Sequence, residues 1–112
     1  MLTRAPVRQC LSSAEFLVVQ DIFPNETTKF AHVILPSASW CEDEGTFTSL
    51  ERRIQLARKA VEPPGGLTSA WRQVAEVAGR LGTKWNYNSS ADVMREIASI
   101  IPFYEGAGYE NL

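Results

Sequence analysis

The side chains best placed for chemistry are Gln20 and Asp21, adjacent at the end of the run Glu15-Phe16-Leu17-Val18-Val19-Gln20-Asp21-Ile22-Phe23-Pro24. The run is short, continuous and rich in Val and Phe, and Pro-Asn stops it, so it reads as a strand buried on both faces. Open α/β sheets place their ligand groups at the C-terminal ends of such strands. A carboxylate there can accept two N–H groups of a guanine edge, and the amide beside it can donate and accept. The pair therefore suits a flat heterocycle. Two rival chemistries need more than the sequence provides. A phosphoacceptor receiver domain would require a further acidic pair and a later Lys, and phosphate binding would require a Gly-rich turn after the strand.

The remaining candidates have plainer explanations. His32, the one histidine, stands beside Val33-Ile34-Leu35 and has no flanked Ser or Cys nucleophile to serve, so it reads as a packed or surface side chain. Cys41 follows Trp40 and precedes Glu42-Asp43-Glu44, and those carboxylates are poor neighbours for a thiolate nucleophile. The three carboxylates lack the alternating spacing of a calcium loop and read as a solvated turn. Cys10 and Cys41 lie too far apart for a CxxC pair, which leaves neither a disulfide framework nor a zinc site.

The elements that must position these residues follow from local pattern. A second apolar run, His32-Val33-Ile34-Leu35-Pro36, matches the first. Between them Asn25-Glu26-Thr27-Thr28-Lys29-Phe30-Ala31 begins like a helical turn with Asn25 as N-cap. Strand, short helix and strand suggest a compressed βαβ unit. Between Gly45 and Val61 two extended pieces are expected, at Thr46-Phe47-Thr48 and Arg53-Ile54-Gln55-Leu56, with unsettled pairing. Glu62-Pro63-Pro64-Gly65-Gly66 breaks the chain. Then Trp71, Val74, Ala75, Ala78 and Leu81 recur at helical spacing, with Thr68 or Ser69 as N-cap and Gly82 beyond the end. A second helix runs from Ser89-Ser90 through Val93, Met94, Ile97 and Ile101 to Pro102. Both apolar stripes are expected to face the sheet, with Trp71 leading the first. The expected fold is α/β: a small partial parallel or mixed sheet followed by two longer C-terminal helices.

At 112 residues and 12.5 kDa there is room for one domain. A net charge of −2 and a pI near 5.4, with Lys and Arg scattered, give no electrostatic footprint for nucleic acid or an anionic membrane. No apolar run approaches the roughly 20 residues that cross a bilayer. The opening residues lack a signal peptide's apolar stretch, and two isolated cysteines suit a reducing compartment, so a cytoplasmic protein is expected.

Taken together, the segments resemble one family. The stretch from Phe16 through Gln20-Asp21-Ile22-Phe23-Pro24-Asn25-Glu26-Thr27-Thr28 is similar to a signature of molybdopterin-dependent oxidoreductases. So are Ala31-His32-Val33-Ile34-Leu35-Pro36-Ser37-Ala38-Ser39-Trp40 and its continuation Glu42-Asp43-Glu44-Gly45-Thr46-Phe47. Glu51-Arg52-Arg53-Ile54-Gln55, Pro64-Gly65 and Trp71 fall where the family has them. The resemblance is nearest to formate dehydrogenase large (alpha) subunits, with periplasmic nitrate reductases more distant. It covers residues 15–112, whereas residues 1–14 match least and read as an extension.

The resemblance implies a partial molybdopterin-binding α/β domain that helps hold a bis-molybdopterin guanine dinucleotide. The enzyme transfers two electrons to or from a small substrate such as formate or nitrate. It assigns cofactor contacts to Gln20 and Asp21, in agreement with the residue-level reading, and to Asp43. Related nitrate reductases carry Lys at the position of Asp43. Where the family often has Asp before Trp71, this chain has Ala70. Two cysteines cannot supply the four thiolates of the family's iron–sulfur cluster, and the molybdenum ligand lies outside this stretch in the family. The expectation is an internal piece of a longer enzyme, inactive by itself, with no catalytic or metal-ligating residue of its own. Alone it is expected to hold no complete cofactor and to retain only weak affinity, for a guanine nucleotide. Expected partners are a second copy, as a homodimer, or the remainder of a molybdopterin enzyme. A stand-alone binding or assembly module on the same fold, without molybdenum, is the alternative. A third reading is an unrelated small α/β enzyme.

Overall fold

Two short strands of matching apolar character pair in parallel at the front of the chain. The computed structural model describes residues 4–112, which divide into two compact units, one ending at Ser37 and the other running Ala38–Leu112. The first unit opens with α1 (Arg4–Ser12). Pro6 falls in its first turn, where no intrahelical N–H is needed. At the other end the Ser12 and Ser13 hydroxyls donate to the carbonyls of Gln9 and Cys10. This helix lies in the segment expected only as an extension.

Strands β1 (Val18–Asp21) and β2 (Val33–Pro36) follow, in register from Val18 opposite Val33 to Asp21 opposite Pro36. The ladder extends past both ends: His32 and Val33 donate their N–H to the Leu17 carbonyl, and Ser37 donates to that of Asp21. The crossover is a single 3₁₀ turn (Thr28–Phe30), so the parallel βαβ expectation holds in compressed form. Burial on both faces does not hold. Val18, Val33 and Ile34 remain exposed, because a parallel sheet is normally covered by its crossover helices and one 3₁₀ turn is too short to cover a face.

In the second unit, β3 (Gly45–Thr48) and β4 (Ile54–Ala57) form an antiparallel hairpin. The two extended pieces expected here thus pair with each other, which settles the pairing left open between Gly45 and Val61. Ser49 closes the hairpin, donating its N–H to the Arg53 carbonyl at 2.9 Å, while Arg52 takes the left-handed φ of 64° that the tight return requires. At the base, the Cys41 carbonyl accepts from the N–H groups of Ala60 and Val61.

Helix α2 (Ala70–Arg80) ends at Leu81 with Gly82 at φ 95°, as the spacing predicts. Helix α3 (Ser90–Ile100) starts on a capping box: Ser89 Oγ accepts from the Asp92 N–H, and the Asp92 carboxylate accepts from the Ser89 N–H. Their apolar stripes part company. Met94 of α3 is only 3% exposed and its Sδ accepts from Thr46 Oγ1 on β3, so α3 packs on the hairpin. Val74, Val77 and Leu81 of α2 stand exposed, and no residue of α2 is buried. The buried apolar centre of this unit is Met94, with Ala107 from the C-terminal turns also buried. Trp71, expected to be a buried anchor, is half-buried, with the Arg72 guanidinium 4.7 Å from its ring centre.

Candidate functional site

The end of β1 places Gln20 and Asp21 as expected, both half-buried. Strand geometry sends neighbouring side chains to opposite faces, so the two are not presented as one flat edge along β1. Asp21 is the better defined. Its Oδ1 accepts from the N–H of Ile22 at 2.7 Å and its Oδ2 from Asn25 Nδ2 at 2.5 Å. Each carboxylate oxygen offers a second lone pair, so both keep an acceptor position beyond these bonds.

The turn that follows is built around Asn25. Its Oδ1 accepts from the N–H groups of Thr27 and Thr28, at 2.8 and 3.1 Å. Thr28, buried at 8% exposure, donates its hydroxyl to the Asn25 carbonyl and accepts from the Asn25 N–H. The helical start expected at Asn25 is thus present as a side-chain turn. Glu26 beside it is held below the usual carboxylate range, first by the hydrogen bond from Lys29 and then by that charge and by Arg8.

His32 acts structurally: Nδ1 accepts from the Leu17 N–H at 3.0 Å and the ring stacks on Phe16. That assigns its proton to Nε2.

Asp43 belongs to the second unit. Its Oδ1 accepts both the Glu44 N–H, at 2.8 Å, and Ser69 Oγ, at 2.7 Å. It borders an open hollow of about 590 Å³, with Lys59, Ser69, Trp71, Arg72 and Ser89 among the lining residues. The charges are mixed and largely partnered. Lys59 pairs with Glu62 at 2.6 Å, Arg72 donates to the Asn88 carbonyl at 2.8 Å, and Glu44 meets Arg58 at 3.4 Å. Glu42 accepts from the Ser39 N–H, so the three carboxylates form a hydrogen-bonded turn. Cys41 Sγ lies 3.2 Å from Ser39 Oγ. Among the described residues no cluster of three or more His, Cys, Asp or Glu side chains is arranged to hold a metal ion. Ala70 is the first residue of α2.

Three side chains are placed in ways the local sequence pattern does not announce. Of Thr68 and Ser69, the two N-cap candidates for α2, Ser69 takes the position, but its hydroxyl bonds Asp43 and makes no cap hydrogen bond. Asn25 has the sequence pattern of a cap and is also the partner of Asp21, four residues away across Pro24. Tyr109 gave no signal at all. Its buried Oη has no hydrogen-bond partner among the described residues, and it borders a smaller, mainly apolar hollow with Met94 and Trp71.

A parallel strand pair, a hairpin and three helices among the described residues make this an α/β chain. A family model described as "Molybdopterin oxidoreductase" matches residues 4–80, and the chain belongs to that family. It is 49% identical over 108 residues to the F420-dependent formate dehydrogenase subunit alpha of Methanocaldococcus jannaschii, covering 95% of this chain and 16% of that protein. It is 43% identical over 106 residues to a putative formate dehydrogenase of Bacillus subtilis, covering 95% of this chain and 11% of that one. It is 41% identical over 106 residues to formate dehydrogenase H of Escherichia coli, covering 95% and 15%. The chain therefore spans only 11% to 16% of the length of these relatives. Among the described residues no helix is long and apolar enough to cross a membrane.

Proposed function

We propose that this chain is the segment of a formate-dehydrogenase-like oxidoreductase that helps cradle a bis-molybdopterin guanine dinucleotide, and that it is not catalytic by itself. The carrying observation is the Asp21 carboxylate, fixed at the C-terminal end of a parallel strand by Ile22 N–H and Asn25 Nδ2. The donor set fits the group. Guanine offers two adjacent N–H donors, and Asp21 keeps one lone pair on each oxygen to receive them. Gln20 would supply an amide at the same strand end. Asp43, taken by itself in the second unit, would offer Oδ2 as its acceptor, because its Oδ1 already takes two donors. When bound, the cofactor supplies two-electron chemistry; this chain's residues bind and orient its nucleotide part.

The exposed apolar side chains support a partner-covered segment. Phe16, Ile22 and Phe23 in the first unit, and Trp40, Phe47 and Val74 in the second, are exposed. Large exposed apolar surface marks an interaction site. In the longer enzyme its remainder would cover them; in isolation a second copy would, giving a homodimer. A cytoplasmic location belongs to the same reading, since it would keep Cys10 and Cys41 as free thiols.

Placing residues 15–112 into the matching stretch of the Escherichia coli relative tests the reading. The chimera is expected to carry guanine nucleotide, released by acid, and Asp21→Ala is expected to lower that content severalfold. Full nucleotide content in the Asp21→Ala chimera would contradict it.

A further inference from the structure

We infer that Asn25 is a positioning residue for Asp21, its side-chain amide holding the carboxylate in the orientation that meets a guanine edge. The inference rests on the reading of Asp21 as the guanine acceptor. A carboxylate's terminal torsion is broad and roughly two-fold, so a lone strand-end Asp does not present a fixed plane. Here one donor engages each oxygen, Ile22 N–H on Oδ1 and Asn25 Nδ2 on Oδ2. The plane is set by two anchors, and the second lone pair of each oxygen is directed away from them.

Asn25 is itself immobilised at both ends of its amide. Nδ2 donates to Asp21 and, at 3.4 Å, to the Phe23 carbonyl, while Oδ1 accepts from Thr27 and Thr28. Exchanging the amide's O and N would set NH₂ against two N–H donors and oxygen against a carboxylate, so the network fixes which atom faces Asp21. The backbone is pinned too, since Asn25 and buried Thr28 exchange two hydrogen bonds through the Thr28 hydroxyl. Tilting Asn25 would leave Thr28 Oγ1 without its partners inside the unit. The crossover turn thereby serves the ligand-facing carboxylate as well as the chain reversal.

The two roles of Asn25 separate in one variant. Asn25→Asp keeps an acceptor for Thr27 and Thr28 but removes the donor to Asp21 and sets a like charge beside it. The test compares guanosine diphosphate with inosine diphosphate, which lacks the 2-amino group, by amide shifts of the intact chain. The wild-type chain is expected to prefer the guanosine form by about threefold to tenfold, the range of one hydrogen bond. Asp21→Asn and Asn25→Asp should both bring the ratio to about one, with the Thr27 and Thr28 amides of Asn25→Asp unmoved. A preference retained in Asn25→Asp but lost in Asp21→Asn overturns the inference alone. No preference in the wild-type chain overturns the reading of Asp21 and the inference with it. An independent readout needs no variant. The Asn25 side-chain NH₂ resonances should shift on adding guanosine diphosphate while those of Asn111 stay put, and unmoved Asn25 resonances in a chain that binds would equally overturn it.

Discussion

Ser69 donates its hydroxyl to Asp43 at 2.7 Å, so the residue at the N-cap position of α2 orients a turn carboxylate instead of closing its own helix. Ser89 does the opposite at α3, where a reciprocal capping box with Asp92 satisfies the first turn. The same residue type at the same helical position thus performs different tasks, decided by the carboxylate within reach.

Removing the two hydroxyls should separate those tasks. Ser89→Ala is expected to cost about 1 kcal/mol, the usual cost of losing an N-cap, with faster amide exchange in the first turn of α3. Ser69→Ala should leave α2 exchange nearly unchanged and instead shift the amide of Glu44, which shares Asp43 Oδ1. Faster exchange throughout the first turn of α2 in Ser69→Ala would contradict this.

Met94 should dominate the stability of the second unit. It is the most buried side chain among the described apolar residues, and Met94→Ala is expected to cost about 2–5 kcal/mol. Trp71→Ala should cost less, because Trp71 is half-buried and stacked from outside by Arg72. Denaturant unfolding of both variants decides the order, and a larger loss in Trp71→Ala would reverse it.

Acid should loosen α3 within a defined window. The Arg95 hydrogen bond, followed by the Asn88 N–H and the Ser89 hydroxyl, lowers Asp92 from 3.8 to about 2. A carboxyl held lower in the folded state stabilises fold above its unfolded value, and that contribution disappears as pH falls through the folded one. The helix should therefore weaken between about pH 4 and pH 2, and Asp92→Asn should flatten that dependence. A helix signal from α3 with the same acid profile in both proteins would rule the linkage out.

What could be read from the sequence was local. The 3.6-residue periodicity and the punctuation by Ser89, Gly82 and Pro102 located α2 and α3, and the matching Pro-stopped runs located β1 and β2 as a parallel pair. Burial could not be read the same way. Val33-Ile34 and Val74-Val77 have the composition of core, yet within this chain they are surface, because composition records what a residue can bury and not what is there to cover it. Of the candidate site, the place of Asp21 at the end of β1 was legible. Asn25 as its partner was not, since a cap residue with a second use has the same sequence signature as one without.

Exposed apolar residues and an open two-stranded edge predict association. Light scattering of the isolated chain should show mass rising with concentration toward twice the 12.5 kDa monomer. Deleting residues 1–14 should leave that behaviour intact. A mass of 12.5 kDa at every concentration would reject it.

The most direct measurement is a titration of the chain with guanosine diphosphate, followed by backbone amide shifts. Part of a larger ligand cradle buries little of its ligand, so affinity should be weak, in the millimolar range. The account predicts saturable shifts centred on Gln20, Asp21 and Ile22, and their loss in Asp21→Asn. No movement at those amides at millimolar nucleotide would contradict it, and so would sub-micromolar binding, which would mean that the site is complete within this chain.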